Sequence, residues 1–446
     1  MDRNWTFDPI RVKIMVPVIL HKGAVTMNTQ SVYAALRQIS FLLIFLTTLC
    51  YAYQSLYLVL PFFTKKKKHR PAAATRYAVL IAARNEEAVL PHLLDSLQAQ
   101  DYPAALRDIY VVADNCTDRT AEVAKAHGAT VFQRFNKLHV GKGYALNFLL
   151  GEIDRSVGLA RYDAFLIFDA DNLLEPDYIT QINRTCSDGY EAFCGYRNTK
   201  NFGANWLSAG YGVWYLHDGT HLNRSRMALG VTCAVTGTGF GFTRQVLERC
   251  GGWHFFTLTE DIEFSNWCAI HGVRIGYCHD AILYDEQPVS FRQSWRQRTR
   301  WTQGGLQIAR YYSADLFRGL LTGGKTGYAC FEALTLSTWG ATLAGVSAAV
   351  TLLTAIVATH GHGLILLLLK ALIGAYWSIV PMGALTVLTE WKRIHTTVPR
   401  KIGAIFAFPL FMLTFLPISA TAVFRKFRWD PIAHTTAISM KDLQKQ

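Results

Sequence analysis

The chain has 446 residues, enough for two domains, and carries a formal net charge of +13. Only 17% of its residues are charged while 51% are hydrophobic, which points to a membrane-embedded portion. The basic residues cluster beside apolar runs rather than in a nucleic-acid motif, so nucleic acid is excluded as a partner. Nine cysteines occur without any Cys-x-x-Cys pair, which argues against a zinc ribbon, a dithiol redox site or a disulfide framework.

Residues 1–37 form a mixed N-terminal segment with a short apolar run, Ile14–Leu20, too short to span a bilayer. Residues 38–64 hold no charge and read as one transmembrane helix, since about 20 apolar residues suffice to cross. Lys65-Lys66-Lys67-Lys68-His69-Arg70 follows at once, which places that end and the next domain in the cytoplasm, at the cell membrane.

Residues 71–288 read as an α/β domain. Tyr77–Ala83 is a buried strand, followed by Arg84-Asn85-Glu86-Glu87 as the start of a helix with acids in its first turn. Asp108–Asp114 is a second strand, and Asn115-Cys116-Thr117-Asp118 caps a helix through His127. With Asn115 and Thr117 available as caps, Asp114 is left to face a ligand. Phe165–Phe168 is a further strand, closed by Asp169-Ala170-Asp171. Strands alternating with helices imply a mostly parallel, Rossmann-like sheet, and ligands bind at the carboxyl ends of such strands. Asp114, Asp169 and Asp171 all stand there.

Two carboxylates one residue apart can chelate a hard divalent cation that also binds a diphosphate. Lys142, flanked by Gly141 and Gly143, can meet the same diphosphate, although the spacing is not that of a Walker loop. The Thr236-Gly237-Thr238-Gly239 stretch allows close backbone approach to a ligand, with Gly239 assigned to the acceptor. Asp261 in Thr259-Glu260-Asp261 suits a general base, with Glu260 orienting an acceptor. Arg300 suits bidentate phosphate contact and Trp301 suits stacking on a sugar face.

Residues 289–330 mix arginine with aromatics and read as interfacial helices. Residues 331–424 hold three hydrophobic segments, about Ala333–Thr359, Leu364–Thr389 and Ile402–Phe424. Three crossings would put the C-terminus outside, yet Arg425-Lys426-Phe427-Arg428 and the 425–446 tail look cytoplasmic. Pro409 and Pro417 therefore read as a hairpin that enters and leaves on one side. His360 and His362, in His-Gly-His, fall in a short extracytoplasmic loop between spans.

This order of motifs resembles the membrane-bound family 2 glycosyltransferases: cellulose, chitin and hyaluronan synthases and their bacterial relatives. The matching pieces are Asp114, then Asp169 with Asp171, then Thr259-Glu260-Asp261, then Gln297, Arg300 and Trp301. The resemblance implies a GT-A fold and an inverting transfer from a nucleotide-sugar donor, as expected of a UDP-sugar. It implies Glu86, Asp114, Lys142, Asp169, Gln297 and Arg300 at the donor. Mg²⁺ or Mn²⁺ would sit at Asp169 and Asp171, and Asp261, beside Glu260, would be the base. Thr259, Trp301 and Gly239 would border the acceptor. Ala113-Asp114-Asn115-Cys116 departs from relatives with two adjacent acids, and no gating-loop motif of cellulose synthase follows Trp301. The first expectation for the acceptor is a growing polysaccharide. The alternatives are a single sugar moved to a membrane lipid, or a nucleotide-binding transporter or receptor without transfer.

Overall fold

A computed structural model describes residues 29–63, 69–336, 338–359, 362–424, 434 and 436–443. The Ile14–Leu20 run, Lys65–Lys68, His360 and Arg425–Arg428 lie outside the described residues. The chain opens with helix α1, Thr29–Val59, whose exposed face is lined by Phe41, Leu42, Phe45 and Leu49. Then come β1 (Tyr77–Ala83), α2 (Leu90–Gln98), β2 (Arg107–Asp114), α3 (Thr120–Ala126), β3 (Thr130–Arg134), α4 (Lys142–Val157) and β4 (Ala164–Asp169). Next are β5 (Leu173–Leu174), α5 (Tyr178–Ser187), β6 (Ala192–Thr199), α6 (Trp206–His217), α7 (Arg224–Leu229), β7 (Phe240–Thr243) and α8 (Arg244–Arg249). The domain closes with α9 (Glu260–Ile270) and β8 (Ile275–Asp285).

The eight strands form one sheet in the order β3-β2-β1-β4-β7-β6-β8-β5. β1 pairs in parallel with β2 and β4, β2 with β3, and β6 with β8; β4–β7, β6–β7 and β5–β8 are antiparallel. The β1 strand reads as an unbroken apolar run because both of its faces are covered. One core packs α4, α6 and α9 on one face, and a second packs α2 and α5 on the other. The register sets Ala83 beside Ala113 and Ala82 beside Asp169, so β2 and β4 end on either side of β1 and carry Asp114 and Asp169 to one edge. The mixed, mostly parallel α/β sheet expected from the sequence is what forms.

Two local readings are corrected. Residues 84–87 are not a helix start: Asn85 has φ 56°, and α2 begins only at Leu90. That left-handed residue lets Asn85 Oδ1 accept from Thr117 N (2.8 Å), Glu86 N donate to Thr120 Oγ1 (2.9 Å) and Glu87 N donate to Asp118 Oδ2 (3.2 Å). The first turn of α3 is served by Asp118, whose Oδ1 accepts from Thr120 N at 3.0 Å, while Asn115 donates to Asn136 O instead.

After the domain, the helices expected over residues 289–330 are α10 (Phe291–Leu321), a single helix of 31 residues, and the start of the next helix at Gly324. Ser294, Arg298, Gly304 and Ile308 recur along the buried face of α10, which a continuous helix presents to one partner. Then follow α11 (Gly324–Leu336), α12 (Thr338–Thr359), α13 (Leu364–Thr389), α14 (Val398–Leu413) and α15 (Phe415–Phe424), and the short α16 (Met440–Leu443). The expected Ala333–Thr359 segment falls on the end of α11 and on α12, with residue 337 outside the described residues.

Among the described residues, four helical stretches are long and apolar enough to cross a membrane: Gln30–Phe62, Trp339–Thr359, Leu364–Thr389 and Val398–Phe424. The hairpin expected in Ile402–Phe424 does not form. Thr414, between α14 and α15, keeps helical angles (φ −66°, ψ −14°), and its N–H donates to Leu410 O, so the chain runs on without reversing. This stretch packs along α6 and α10, and Phe411 and Phe408 are buried in the core of the sheet domain.

Candidate active site

The edge where β2 and β4 end is lined by carboxylates, each held by a different neighbour. Asp114 is buried, and Oδ1 takes the Arg134 guanidinium at 2.5 Å and Asn115 Nδ2 at 3.0 Å. It is therefore not the unpaired acid that the sequence implies. Arg134, at the end of β3, gave no signal as a site residue, because only the β2–β3 pairing brings it there.

Asp169 is about a third exposed (34%), and Oδ1 accepts from Lys142 Nζ at 2.5 Å. Lys142 opens α4, and its ammonium also donates to Gly237 O (2.8 Å) and lies 3.9 Å from Glu260 Oε1. The Asp169 N–H donates to Thr238 Oγ1 (2.8 Å) and Asn172 Oδ1 (3.1 Å), which fixes the strand end. Asp171 is buried; Oδ2 accepts from Glu286 N (2.8 Å) and its backbone carbonyl from Lys200 Nζ (2.6 Å). Burial works against its charge, but His434, Lys200 and Arg197 outweigh that and hold the carboxyl below the usual aspartate range.

Glu86 sits beside these acids. His434 Nδ1 lies 2.9 Å from Oε1, while buried Oε2 has no partner among the described residues. Burial raises the Glu86 carboxyl, with His434 opposing. For His434 burial pulls the other way, yet Asp171 and Glu86 push the imidazole up to about 10. Thr436 N donates to Glu286 Oε2 (2.9 Å), so the C-terminal segment lies against the same edge. Nothing in the sequence marked His434, since its place depends on the fold of the whole C-terminal third.

Glu260 and Asp261 occupy the first turn of α9, where the helix dipole favours anions. Burial pushes Glu260 up to about 7 and raises Asp261 as well; Lys142 and Arg300 pull both down. Such an elevated carboxylate is suited to accept a proton near neutral pH. Thr259, just before the helix, has a buried Oγ1 without a partner among the described residues. α10 crosses close above it: a Cβ at Gly304 would stand 2.3 Å from Thr259 Oγ1, so only glycine fits there.

Arg300 reaches the same corner by donating to Leu258 O at 2.8 Å. Trp301 packs edge-on against Tyr211 (5.8 Å between centroids) and Trp214 (6.3 Å). Gln297 is half-buried, and its buried Oε1 lacks a partner among the described residues. Gly239 is drawn into the sheet instead of the cleft: its N–H donates to Ile167 O, and its carbonyl accepts from Gly195 N and Tyr178 OH. The members of that turn that meet the cluster are Gly237, whose carbonyl takes Lys142 Nζ, and Thr238, whose Oγ1 takes the Asp169 N–H.

Whether a divalent metal suits this edge can be judged from its donors. Among the described residues no group of three His, Cys, Asp or Glu is placed to hold one alone. Asp169 already accepts one cation, the Lys142 ammonium, and Glu86 Oε2 is an orphaned buried anion beside it. Two carboxylates with the remaining shell left to substrate phosphates is the usual binding mode of Mg²⁺, so the residues fit.

A family model described as "Glycosyltransferase like family 2" matches residues 74–304. The beta-monoglucosyldiacylglycerol synthase of Synechocystis sp. is 27% identical over 55% of this chain and 50% of its own. The poly-beta-1,6-N-acetyl-D-glucosamine synthase of Staphylococcus epidermidis is 24% identical over 54% of this chain and 57% of its own. The alignments thus span about half the length of these curated relatives. Among solved structures, a mannosyltransferase of Pyrobaculum calidifontis, in complex with GDP-Man and Mn²⁺, superposes with a TM-score of 0.53. It covers 88% of this chain and 98% of that one at 18% identity, a likeness of fold. With its sheet order, its paired strand-end carboxylates and a family match over more than half its length, the chain belongs to the family 2 glycosyltransferases.

Proposed function

We propose that the chain moves a sugar from a nucleotide-sugar, a UDP-sugar in the first instance, to a hydroxyl acceptor at the membrane. The observation that carries this reading is the meeting of two sets of groups across Lys142. On one side stand Asp169 and Asp171; on the other stand Glu260, Asp261 and Arg300. In one inverting displacement the acceptor oxygen bonds to the anomeric carbon as the bond from that carbon to the diphosphate oxygen breaks. The hydroxyl proton passes to Asp261, and the diphosphate leaves with the bonding pair. Lys142 and Arg300 supply positive charge where the leaving group gathers negative charge. A Mg²⁺ or Mn²⁺ ion held by Asp169 and Asp171 would neutralise the diphosphate and remove the need for a general acid. Glu86, Asp114 and Gln297 border the donor, and Thr259 and Trp301 border the acceptor. Trp214 and Trp301, backed by buried Tyr211, give the acceptor side an aromatic wall, which suits a sugar ring and favours a growing polysaccharide.

The second reading, one sugar moved to a membrane lipid, is favoured by the glucosyldiacylglycerol synthase relative. Both readings place the sheet domain on the cytoplasmic side of a multi-pass cell-membrane protein. In this arrangement Val398–Phe424 lies along the domain at the interface, which leaves residues 434–443 on the same side. Screening UDP-glucose, UDP-N-acetylglucosamine and GDP-mannose for nucleoside diphosphate release tests transfer, and sizing the labelled product tests the acceptor. A polymer supports the first reading and a single-sugar lipid the second. A chain that binds donor but releases no diphosphate is a receptor or transporter, and overturns both.

A further inference from the structure

One largely buried cation beside these groups has no part in the reaction above. Arg197 lies near the end of β6, and its Nε donates to Asp285 Oδ2 at 2.6 Å, with Nη2 on the same oxygen. Its Nη1 donates to Thr236 O, and its guanidinium carbon stacks 3.7 Å from the centroid of the Tyr215 ring. Three different elements therefore hold one planar group: β8, the glycine turn and α6. Fixing a guanidinium this fully costs side-chain entropy and desolvation, so its value lies in the geometry it imposes.

The two backbones that Arg197 ties together orient opposite halves of the site. Residues 285–287 follow one line: Asp285 takes Arg197, and Glu286 N holds Asp171 Oδ2 at 2.8 Å. Gln287 Nε2 holds Asp285 Oδ1 at 2.6 Å. The glycine turn serves the other half, because Gly237 O takes Lys142 Nζ at 2.8 Å and Thr238 Oγ1 takes the Asp169 N–H at 2.8 Å. A Cβ built on Gly237 would stand 3.2 Å from Arg197 Nη1 and 3.9 Å from Asp261 Oδ2. That point, within 4 Å of both, shows how little separates the clamp from the base.

We propose that Arg197, clamped by Asp285 and stacked on Tyr215, is a positioning residue that sets the spacing between Asp171 and the Lys142–Asp261 corner. This inference rests on the glycosyl-transfer reading of the same site. A lysine keeps the charge but not the fork, so it cannot reach Asp285 and Thr236 together. A misplacement of about 1 Å between reacting groups costs on the order of 100-fold in rate.

The test uses the full chain in lipid nanodiscs with Mn²⁺ and whichever of UDP-glucose, UDP-N-acetylglucosamine or GDP-mannose the wild type turns over. Arg197→Lys is expected to lower kcat about 10- to 100-fold, with donor KM and the affinity for UDP or GDP within about threefold of wild type. Tyr215→Leu, which removes the stacking ring and leaves the ion pair, is expected to give the same kcat-only loss at about 3- to 10-fold. It serves as the measurement if Arg197→Lys does not fold. Wild-type kcat in the folded variants overturns the proposal. So does a loss of nucleotide affinity and thermal midpoint in step with kcat, which a merely structural ion pair would give. Failure of the underlying reading is distinguishable, since the wild type itself would then release no diphosphate from any of the three donors.

Discussion

Lys142 Nζ stands 2.5 Å from Asp169 Oδ1 and 3.9 Å from Glu260 Oε1, so one ammonium joins the end of β4 to the first turn of α9. Its pKa is raised: burial works against the charge, but Asp169 and Glu260 outweigh it. Removing it leaves two carboxylates facing each other without a counter-charge. Lys142→Met is expected to raise donor KM at least about tenfold and to lower kcat by about 100-fold, read by diphosphate release. Lys142→Arg is expected to recover little, because a planar fork does not replace a compact ammonium.

Asp169 and Asp171 make a prediction for metal. Exhaustive chelation with EDTA is expected to abolish turnover, and Mn²⁺ or Mg²⁺ to restore it. Asp171→Asn is expected to need at least about tenfold more metal for half-maximal rate. Activity that survives chelation would remove the metal role from Asp169 and Asp171.

Asp261→Asn keeps the shape of the first turn of α9 but cannot take a proton. Diphosphate release is expected to fall about 100- to 10,000-fold while nucleotide binding, followed by titration, stays near wild type. Equal losses in binding and rate would make Asp261 a donor ligand instead of the base.

Glu260 makes a pH prediction about stability. Its carboxyl rises from 4.5 unfolded to about 7 in the fold, so the folded state holds the proton more tightly. That contribution is complete below the unfolded value and is lost as pH rises through about 7. Glu260→Gln is neutral throughout, so its thermal midpoint is expected to exceed that of the wild type at pH 8 and to match it near pH 4.5. A midpoint gain that is the same at both values would place the effect in packing and not in charge.

The crossing of α9 and α10 depends on one missing side chain. With a Cβ at Gly304 only 2.3 Å from Thr259 Oγ1, Gly304→Ala must push the helices apart. Overpacking of this kind costs about 1–3 kcal/mol, visible in denaturant unfolding, and kcat is expected to fall because Glu260 and Asp261 move with Thr259. Unchanged rate and stability would mean that the crossing has slack.

Much of this was legible in the chain itself. Tyr77–Ala83 and Phe165–Phe168 are continuous apolar runs because strands covered on both faces have no polar side to show, and each run stops where the polar edge begins. Asp114 and Asp169 stand at such boundaries, and Asp261 in the first turn of α9, so short-range pattern was enough to mark these carboxylates. Other features depend on what arrives from far away in the sequence. Asn85 adopts φ 56° because residues 117–120 offer its turn four hydrogen-bonding groups, which local helix signals cannot reveal. Arg134 neutralises Asp114 only through the β2–β3 pairing, and His434 reaches Glu86 from 348 positions away. Arg197 is one arginine in a strand until Asp285, Thr236 and Tyr215 close around it. Sequence determined the fold class and the carboxylates, since hydrophobic period and strand ends are local. Tertiary structure decided which charges are paired, because a counter-ion has no fixed distance along the chain.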